Sequence, residues 1–200
     1  MTPHKSESVT LHKGDALIVV DLQNDFLPGG SLGVRRGEEI VPLINRYIKV
    51  FQEGGHPIYA TRDWHPAGHS SFKEQGGPWP PHCVAHSDGA QFPARLQLPS
   101  STTVISKGTK PDVDAYSGFQ GTDLDERLRS SGIERLFIGG LATDYCVLNT
   151  VKDALKLGYQ VLLLQDAVRA VNVHPDDGIR AEKEMTEKGA VPISFDMLAP

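Results

Sequence analysis

Short apolar runs recur along the chain, and each one ends at a polar or glycine-rich point. Val, Ile and Leu occupy consecutive positions in these runs, which is typical of strands that are buried on both faces of a parallel sheet. The pattern predicts six strands, at residues 16–21, 57–63, 102–107, 135–140, 159–166 and, with the weakest signal, 190–194.

Amphipathic segments lie between the predicted strands. Residues 38–53 repeat apolar side chains every three or four positions, and two glycines at 54–55 end that pattern. Similar patterns predict helices at 122–130, with Thr122 as the capping residue, at 143–158 and at 174–189. Because strands and helices alternate, we expect an open parallel α/β sheet with helices on both faces, in one domain over residues 1–200.

One long segment, residues 76–101, shows neither the two-residue period of a strand nor the 3.6-residue period of a helix. It holds five of the chain's 14 prolines. A loop of this length in a compact domain is usually either functional or disordered. Trp79, His82 and His86 favour a functional loop.

Composition and charge indicate which kinds of partner and which cellular compartment to expect. The net charge is −5 and the basic residues are scattered, which argues against a nucleic-acid partner. No apolar run approaches the roughly 18 residues of a membrane span, and the polar start MTPHKSESVTLHKGD does not resemble a signal peptide. Two distant cysteines suit a reducing compartment, so we expect a cytoplasmic protein. A single sequence leaves open whether the chain forms a homo-oligomer.

Reactive side chains stand where the predicted strands end. Asp21 closes the first strand, Asp63 the second and Lys107 the third, while Cys146 follows the fourth. The carboxyl ends of parallel strands share one edge of a sheet, so these residues are expected to meet in one crevice.

Cys146 is predicted to be a nucleophile. If Thr143 or Asp144 caps the following helix, the sulfur lies in the first turn, where free N–H groups and the helix dipole lower a thiol pKa. The alternative is a small core residue. We expect Asp21, with a pKa raised in a desolvated crevice, to exchange the thiol proton, and Lys107 to hold that carboxylate. Taken singly, each could instead be a turn or surface residue.

A metal site is the second constellation. Asp63 and His65, two apart in an extended segment, point to the same side, and His82 from the proline-rich loop can add a third ligand. This oxygen and nitrogen set favours Zn, with Fe or Mn as alternatives. If the D-x-H motif is considered without His82, the alternative is that Asp63 and His65 are ordinary surface residues. Other residues that could substitute, each more simply read as structural, are His69, Ser71, Cys83 and His86.

Three aromatic residues in loop-like contexts could sandwich a flat ring: Phe26, Trp79 and Tyr116. The alternative for each is a loop anchor.

Together these motifs resemble the nicotinamidases, the metal-containing branch of the isochorismatase-like cysteine hydrolases. The resemblance covers nearly the whole chain, through LIVVDLQNDF, TRDWHPAGHSSF, GGPWPPHCV, SKGT, DAYSGF and GLATDYCV. It implies a Rossmann-like three-layer α/β/α fold and hydrolysis of nicotinamide to nicotinate and ammonia, with pyrazinamide as an additional substrate.

The resemblance also implies roles for individual residues. Asp21, Lys107 and Cys146 would form the catalytic triad, and the N–H groups of Ala142 and Cys146 an oxyanion hole after a cis Leu141–Ala142 bond. The three ring-binding aromatics and the three metal ligands would be those named above. Ser71 stands where some members have a histidine, so water could complete the metal shell.

Two other functions fit part of the pattern. A related amidase acting on an N-carbamoyl compound would explain the triad but not the D-x-H motif or the aromatics. A catalytically silent binder of a small heterocycle would leave the reactive groups without a use.

Overall fold

A computed structural model describes residues 8–199; residues 1–7 of the polar N-terminal stretch lie outside the described part. Its six strands are β1 (Asp15–Val20), β2 (Ile58–Asp63), β3 (Thr103–Lys107), β4 (Arg135–Leu141), β5 (Gln160–Arg169) and β6 (Val191–Ile193). They form one sheet in the order β3-β2-β1-β4-β5-β6, and every pairing is parallel. The predicted parallel α/β architecture is confirmed.

The α-helices in the described residues are α1 (Ile40–Glu53), α2 (Leu124–Ser130), α3 (Leu148–Lys156) and α4 (Asp177–Glu187). Alternate residues of β1 point to opposite faces, as the period of a strand requires. Leu17 and Val19 pack with α1, whereas Ala16, Ile18 and Val20 belong to the cluster that contains α2, α3 and α4. The sheet is therefore covered on both faces, in three layers. None of the described helices combines the length and apolarity needed to cross a bilayer.

The start of α2 differs slightly from the prediction. The helix begins at Leu124 rather than at residue 122, and Asp123 occupies the capping position. The Thr122 hydroxyl still accepts a hydrogen bond from the Leu124 N–H, at 3.3 Å.

The long segment at residues 76–101 contains no helix or strand, as the sequence predicted. Isolated bridges join His65 to Val84 and Phe72 to Trp79. Cys83 and Ala90 are fully buried in the apolar cluster on the α1 side of the sheet. The segment is thus packed onto the domain, and it carries Trp79 and His82 to the edge of the sheet where β1, β2 and β3 end.

Candidate active site

The predicted crevice lies at the carboxyl ends of the central strands. Asp21 follows β1, while Asp63 and Lys107 end β2 and β3 and are direct neighbours in the sheet register. The strand order reverses between β1 and β4, and such a switch point is where open α/β sheets form their ligand crevices. Cys146 follows β4 on the other side of that point.

Lys107 lies at the centre of the predicted catalytic residues. Its ammonium nitrogen is 2.8 Å from Oδ2 of Asp21 and 3.5 Å from Sγ of Cys146, and it also contacts Oδ1 of Asp63. A further hydrogen bond reaches the Ala115 carbonyl at 3.1 Å. Burial alone would lower the pKa of Lys107, but the two carboxylates raise it well above its usual value. The side chain is therefore a fixed buried cation.

Asp21 is held in a strained backbone conformation, with φ of 45°, and is completely buried. The Thr61 hydroxyl donates to Oδ1 at 2.6 Å, whereas Oδ2 is ion-paired with Lys107 and accepts no well-aligned hydrogen bond. Burial raises the pKa of Asp21 although the Lys107 charge opposes that shift. The expected raised pKa is confirmed, and Oδ2 retains a lone pair for a proton.

Cys146 lies within 4.8 Å of both the Asp21 and the Asp63 carboxylates, and its side chain reaches the cavity described below. The expected helix cap is wrong. Residues Thr143–Val147 form a π-helical turn that precedes α3, and no side chain caps it. The Asp144 carboxylate instead accepts hydrogen bonds from the N–H groups of Val171 and Asn172.

The expectation of a lowered thiol pKa is also wrong. Burial raises the pKa of Cys146 well above its usual value, and the nearby Lys107 charge only partly opposes this. The reason is that the sulfur lies in a desolvated group with two carboxylates, not at a solvated helix end. Cys146 is therefore a thiol at rest, and the predicted nucleophilic role requires a base beside it.

The backbone before Cys146 has the expected unusual geometry. The Leu141–Ala142 peptide bond is cis. The Ala142 carbonyl accepts hydrogen bonds from the N–H groups of Tyr145 and Val147. It accepts none from the N–H group of Cys146, which lies between them. An oxyanion hole formed by the N–H groups of Ala142 and Cys146 remains a prediction.

Asp63, His65 and His82 form a buried cluster whose ligand atoms all lie within 4.8 Å of one another. Nε2 of His65 is 3.5 Å and Nε2 of His82 3.9 Å from Oδ2 of Asp63. Each imidazole uses its other nitrogen, Nδ1, for a backbone carbonyl, that of Gly108 for His65 and that of Pro80 for His82. Because a carbonyl can only accept, Nδ1 carries the proton and Nε2 presents a lone pair toward Asp63. The donor set therefore fits a divalent metal.

A second cluster with similar distances, formed by Asp21, Asp63 and Cys146, does not need a metal, because the Lys107 ammonium already contacts all three groups. His69 and Ser71 lie beside the first cluster and bond to each other at 2.7 Å. The His69 ring stacks on His65, with centroids 4.1 Å apart. His69 therefore packs directly against His65, and Ser71 contacts His69.

An aromatic cavity opens above these groups, with about 380 Å³ of atom-free space, part of it open to solvent. The three predicted aromatics all line it, together with Cys146 and His82: Phe26, Trp79 and Tyr116. The Trp79 indole N–H donates to the Tyr116 hydroxyl at 2.9 Å, which fixes the two rings relative to each other. The sulfur and an imidazole of the metal-type cluster thus face the same space.

Two further residues of the site were missed in the sequence. Thr61, which orients Asp21, stands two positions before Asp63 on β2, so the strand alternation places both on one face. Tyr145 lines the cavity and packs edge-on against Trp79, with centroids 5.1 Å apart. Its position next to Cys146 was the available signal.

Comparison with known proteins agrees with this geometry. The isochorismatase domain family matches residues 15–196. A nicotinamidase from Escherichia coli is 44% identical over 196 residues, covering 88% of this chain and 92% of that protein. A zinc complex of the pyrazinamidase of Pyrococcus horikoshii has a TM-score of 0.88 at 52% identity and covers 91% of this chain and 99% of that one. PnC1 of L. infantum in complex with nicotinate has a TM-score of 0.89 at 39% identity, covering 96% and 98%.

Proposed function

Because the chain belongs to the isochorismatase family, we propose that it is a nicotinamidase, which hydrolyses nicotinamide to nicotinate and ammonia and also accepts pyrazinamide. One observation carries this proposal. A single aromatic-lined cavity has the Cys146 thiol and the His82 imidazole of the metal-type cluster on its walls. That arrangement suits a flat ring that bears an amide on one side and a nitrogen on the other.

The reaction begins with the thiol. Oδ2 of Asp21 takes the proton of Cys146, and the sulfur attacks the carboxamide carbon, forming the S–C bond. Lys107 keeps Asp21 in place and stabilises the negative charge that develops on the sulfur. The N–H groups of Ala142 and Cys146 would donate to the oxyanion, and each such donor typically contributes about 3 to 4 kcal/mol.

The second half of the reaction returns the proton. Asp21 protonates the leaving nitrogen as the C–N bond breaks, which releases ammonia and leaves a thioester on Cys146. Water then attacks the thioester, with Asp21 accepting one of its protons. When the C–S bond breaks, that proton returns to the sulfur, and the product releases the second proton of the water to solvent and leaves as nicotinate.

We propose Zn²⁺ as the bound metal, with Fe or Mn as alternatives, held by Asp63, His65 and His82. When bound there, it supplies a Lewis-acid contact to a ring nitrogen of the substrate. Phe26, Trp79 and Tyr116 hold the ring itself, so the chain's own residues determine its plane. The two free cysteines agree with a cytoplasmic location, which we also propose.

The experiment that tests this function is an ammonia-release assay with Cys146→Ala and wild type. Nicotinamide, pyrazinamide and an N-carbamoyl amine are compared as substrates. We expect turnover of the first two by wild type and loss of it in the variant, with an unchanged melting temperature. Turnover by the variant would remove Cys146 as the nucleophile, and activity confined to the N-carbamoyl amine would assign a different amidase reaction.

A further inference from the structure

The short segment between β1 and the cavity, Gln23–Asp25, makes side-chain hydrogen bonds to the backbones that carry two members of the metal-type cluster. The residues of this segment do not line the substrate cavity, although the next residue, Phe26, does. Neither Gln23 nor Asp25 was singled out in the sequence. Gln23 nevertheless bonds to the backbone of Asp63, and Asp25 to the residue that follows His82.

The Gln23 side chain forms hydrogen bonds with both the N–H and the carbonyl group of Asp63. Its amide oxygen accepts the Asp63 N–H at 2.8 Å, and its amide nitrogen donates to the Asp63 carbonyl at 2.8 Å. The same nitrogen donates to the Ala90 carbonyl at 2.9 Å. Gln23 is fully buried, so these bonds are not exchanged with water. One side chain therefore ties the end of β2 to the long segment 76–101.

Asp25 holds the residue next to His82. Its Oδ2 accepts the Cys83 N–H at 2.8 Å, and its Oδ1 accepts the Ser31 N–H at 3.3 Å. The Asp25 N–H in turn donates to the Gly89 carbonyl at 2.9 Å. A Cβ atom added at Gly89 would lie 2.1 Å from Oδ2 of Asp25, so the carboxylate occupies the space that any larger residue would need.

We propose that Gln23 and Asp25 are positioning residues of the metal site. Gln23 fixes the backbone of Asp63, and Asp25 fixes the backbone of the His82–Cys83 segment, so that carboxylate and imidazole meet at ligand distance. His82 comes from a segment without a helix or strand, so its position depends on such bonds. The inference rests on the proposed metal site at Asp63, His65 and His82.

The test measures Zn²⁺ affinity of the full-length, zinc-loaded protein by competition with a chromophoric chelator. Asp25→Ala and Gln23→Met should each weaken Zn²⁺ binding by about 10- to 100-fold, the usual effect of losing a supporting contact at a metal site. Asp25→Asn keeps an oxygen for the Cys83 N–H and should stay within about threefold of wild type. The absorption spectrum of the Co²⁺-substituted protein should change in the first two variants only.

Two further variants separate positioning from general stability. Gly89→Ala leaves Asp25 in the chain but displaces its carboxylate, and it should also weaken Zn²⁺ binding, by about tenfold. Asn24→Ala removes a similar hydrogen bond to the same segment, 2.8 Å long, which ends on the Asp88 carbonyl rather than on the residue next to His82. That control should bind Zn²⁺ like wild type, although its urea midpoint can fall.

The outcomes are distinct. Lower urea midpoints for Asp25→Ala and Gln23→Met with wild-type Zn²⁺ affinity and Co²⁺ spectra would overturn the proposal. Equal weakening by Asn24→Ala would also overturn it, because the effect would then belong to the loop as a whole. If His82→Ala binds Zn²⁺ as tightly as wild type, the metal site itself is wrong, and the positioning roles fall with it.

Discussion

At the scale of single residues, Asp63 joins the two halves of the site. Its Oδ1 contacts the Lys107 ammonium, and its Oδ2 faces Nε2 of both His65 and His82. Burial by itself would raise the pKa of Asp63, but the neighbouring Lys107 charge lowers it strongly. Asp63 is therefore an anion beside the buried Lys107 cation, whereas Asp21 has a raised pKa. This difference agrees with the two proposed roles, metal binding by Asp63 and proton transfer by Asp21.

The raised pKa of Asp21 predicts the acid limb of the pH profile. The carboxylate must be ionised to accept the thiol proton, so kcat/KM for nicotinamide should fall as the pH is lowered through that pKa. Burial places this limb above the ordinary aspartate value of about 3.9. Asp21→Asn should lower kcat/KM by about 10²- to 10⁴-fold and abolish the limb. An unchanged limb in the variant would assign the titration to another group.

Thr61 offers a second prediction for the same carboxylate. Its hydroxyl fixes Oδ1 of Asp21, which leaves Oδ2 turned toward Lys107. Thr61→Val has nearly the same shape but loses this bond, which should cost about 1.5 to 3 kcal/mol of stability because one partner is charged. We expect kcat to fall about tenfold with KM little changed, and Thr61→Ser to restore it. A serine variant as slow as the valine variant would exclude this role of the hydroxyl.

At the scale of elements, β4 contains a backbone position that only glycine fits without displacement. Gly140 has φ of +126°, and a Cβ atom there would lie 2.1 Å from the Val20 carbonyl oxygen of β1. The register with β5 shifts between Ile138 and Gly140 as well. Glycine at this point lets β4 approach β1 closely just before the turn that carries Cys146.

Gly140→Ala should therefore lower the free energy of unfolding by about 3 kcal/mol, since backbone atoms must move. Gly132→Ala is the matched control, because Gly132 also has positive φ, at +66°, but a Cβ atom there would meet nothing within 4 Å. The control should cost about 1 to 2 kcal/mol. Urea unfolding of both variants measures the difference, and equal losses would show that the contact with Val20 is unimportant.

Strands and helices with a clear apolar pattern could be predicted from the sequence. Element ends that depend on contacts with distant residues could not. The apolar run of β1 identified it directly. β5 extends to Arg169 rather than residue 166, because Val168 and Arg169 pair with Gly140 and Leu141 beyond the register shift, which no local pattern records. The turn at Thr143–Val147 looked like a capped helix start, but Asp144 bonds to the distant residues Val171 and Asn172. Most of the residues that meet in the crevice could be predicted from the sequence, although Thr61 and Tyr145 were missed, whereas the raised pKa of Cys146 depends on how these residues are packed.

At the scale of the whole molecule, the domain has two parts. One is a framework, formed by the six-stranded sheet and helices α1–α4, and the other is segment 76–101, which packs onto it. The sheet and the helices packed on it place Asp63 and Lys107 at the ends of β2 and β3, with Asp21 directly after β1 and Cys146 in the turn that follows β4. Segment 76–101 depends on bridges and side-chain ties, of which the His65–Val84 bridge lies next to the proposed metal ligands. A metal bound by Asp63, His65 and His82 would add one more link between the two parts.

Removing that metal should therefore loosen the molecule unevenly. A ligand present at 100 times its dissociation constant stabilises the folded state by about 2.7 kcal/mol, so chelation should lower the melting temperature. Amide hydrogen exchange, measured by mass spectrometry before and after chelation, should accelerate in peptides covering residues 79–86, whereas β1 and β4 keep their slow exchange. The expected contrast follows from the bonds described: Cys83 N–H is held by a side chain, but the β1 and β4 amides belong to the centre of the sheet. Faster exchange spread evenly over the chain, or none at all, would show that the metal does not link segment 76–101 to the framework.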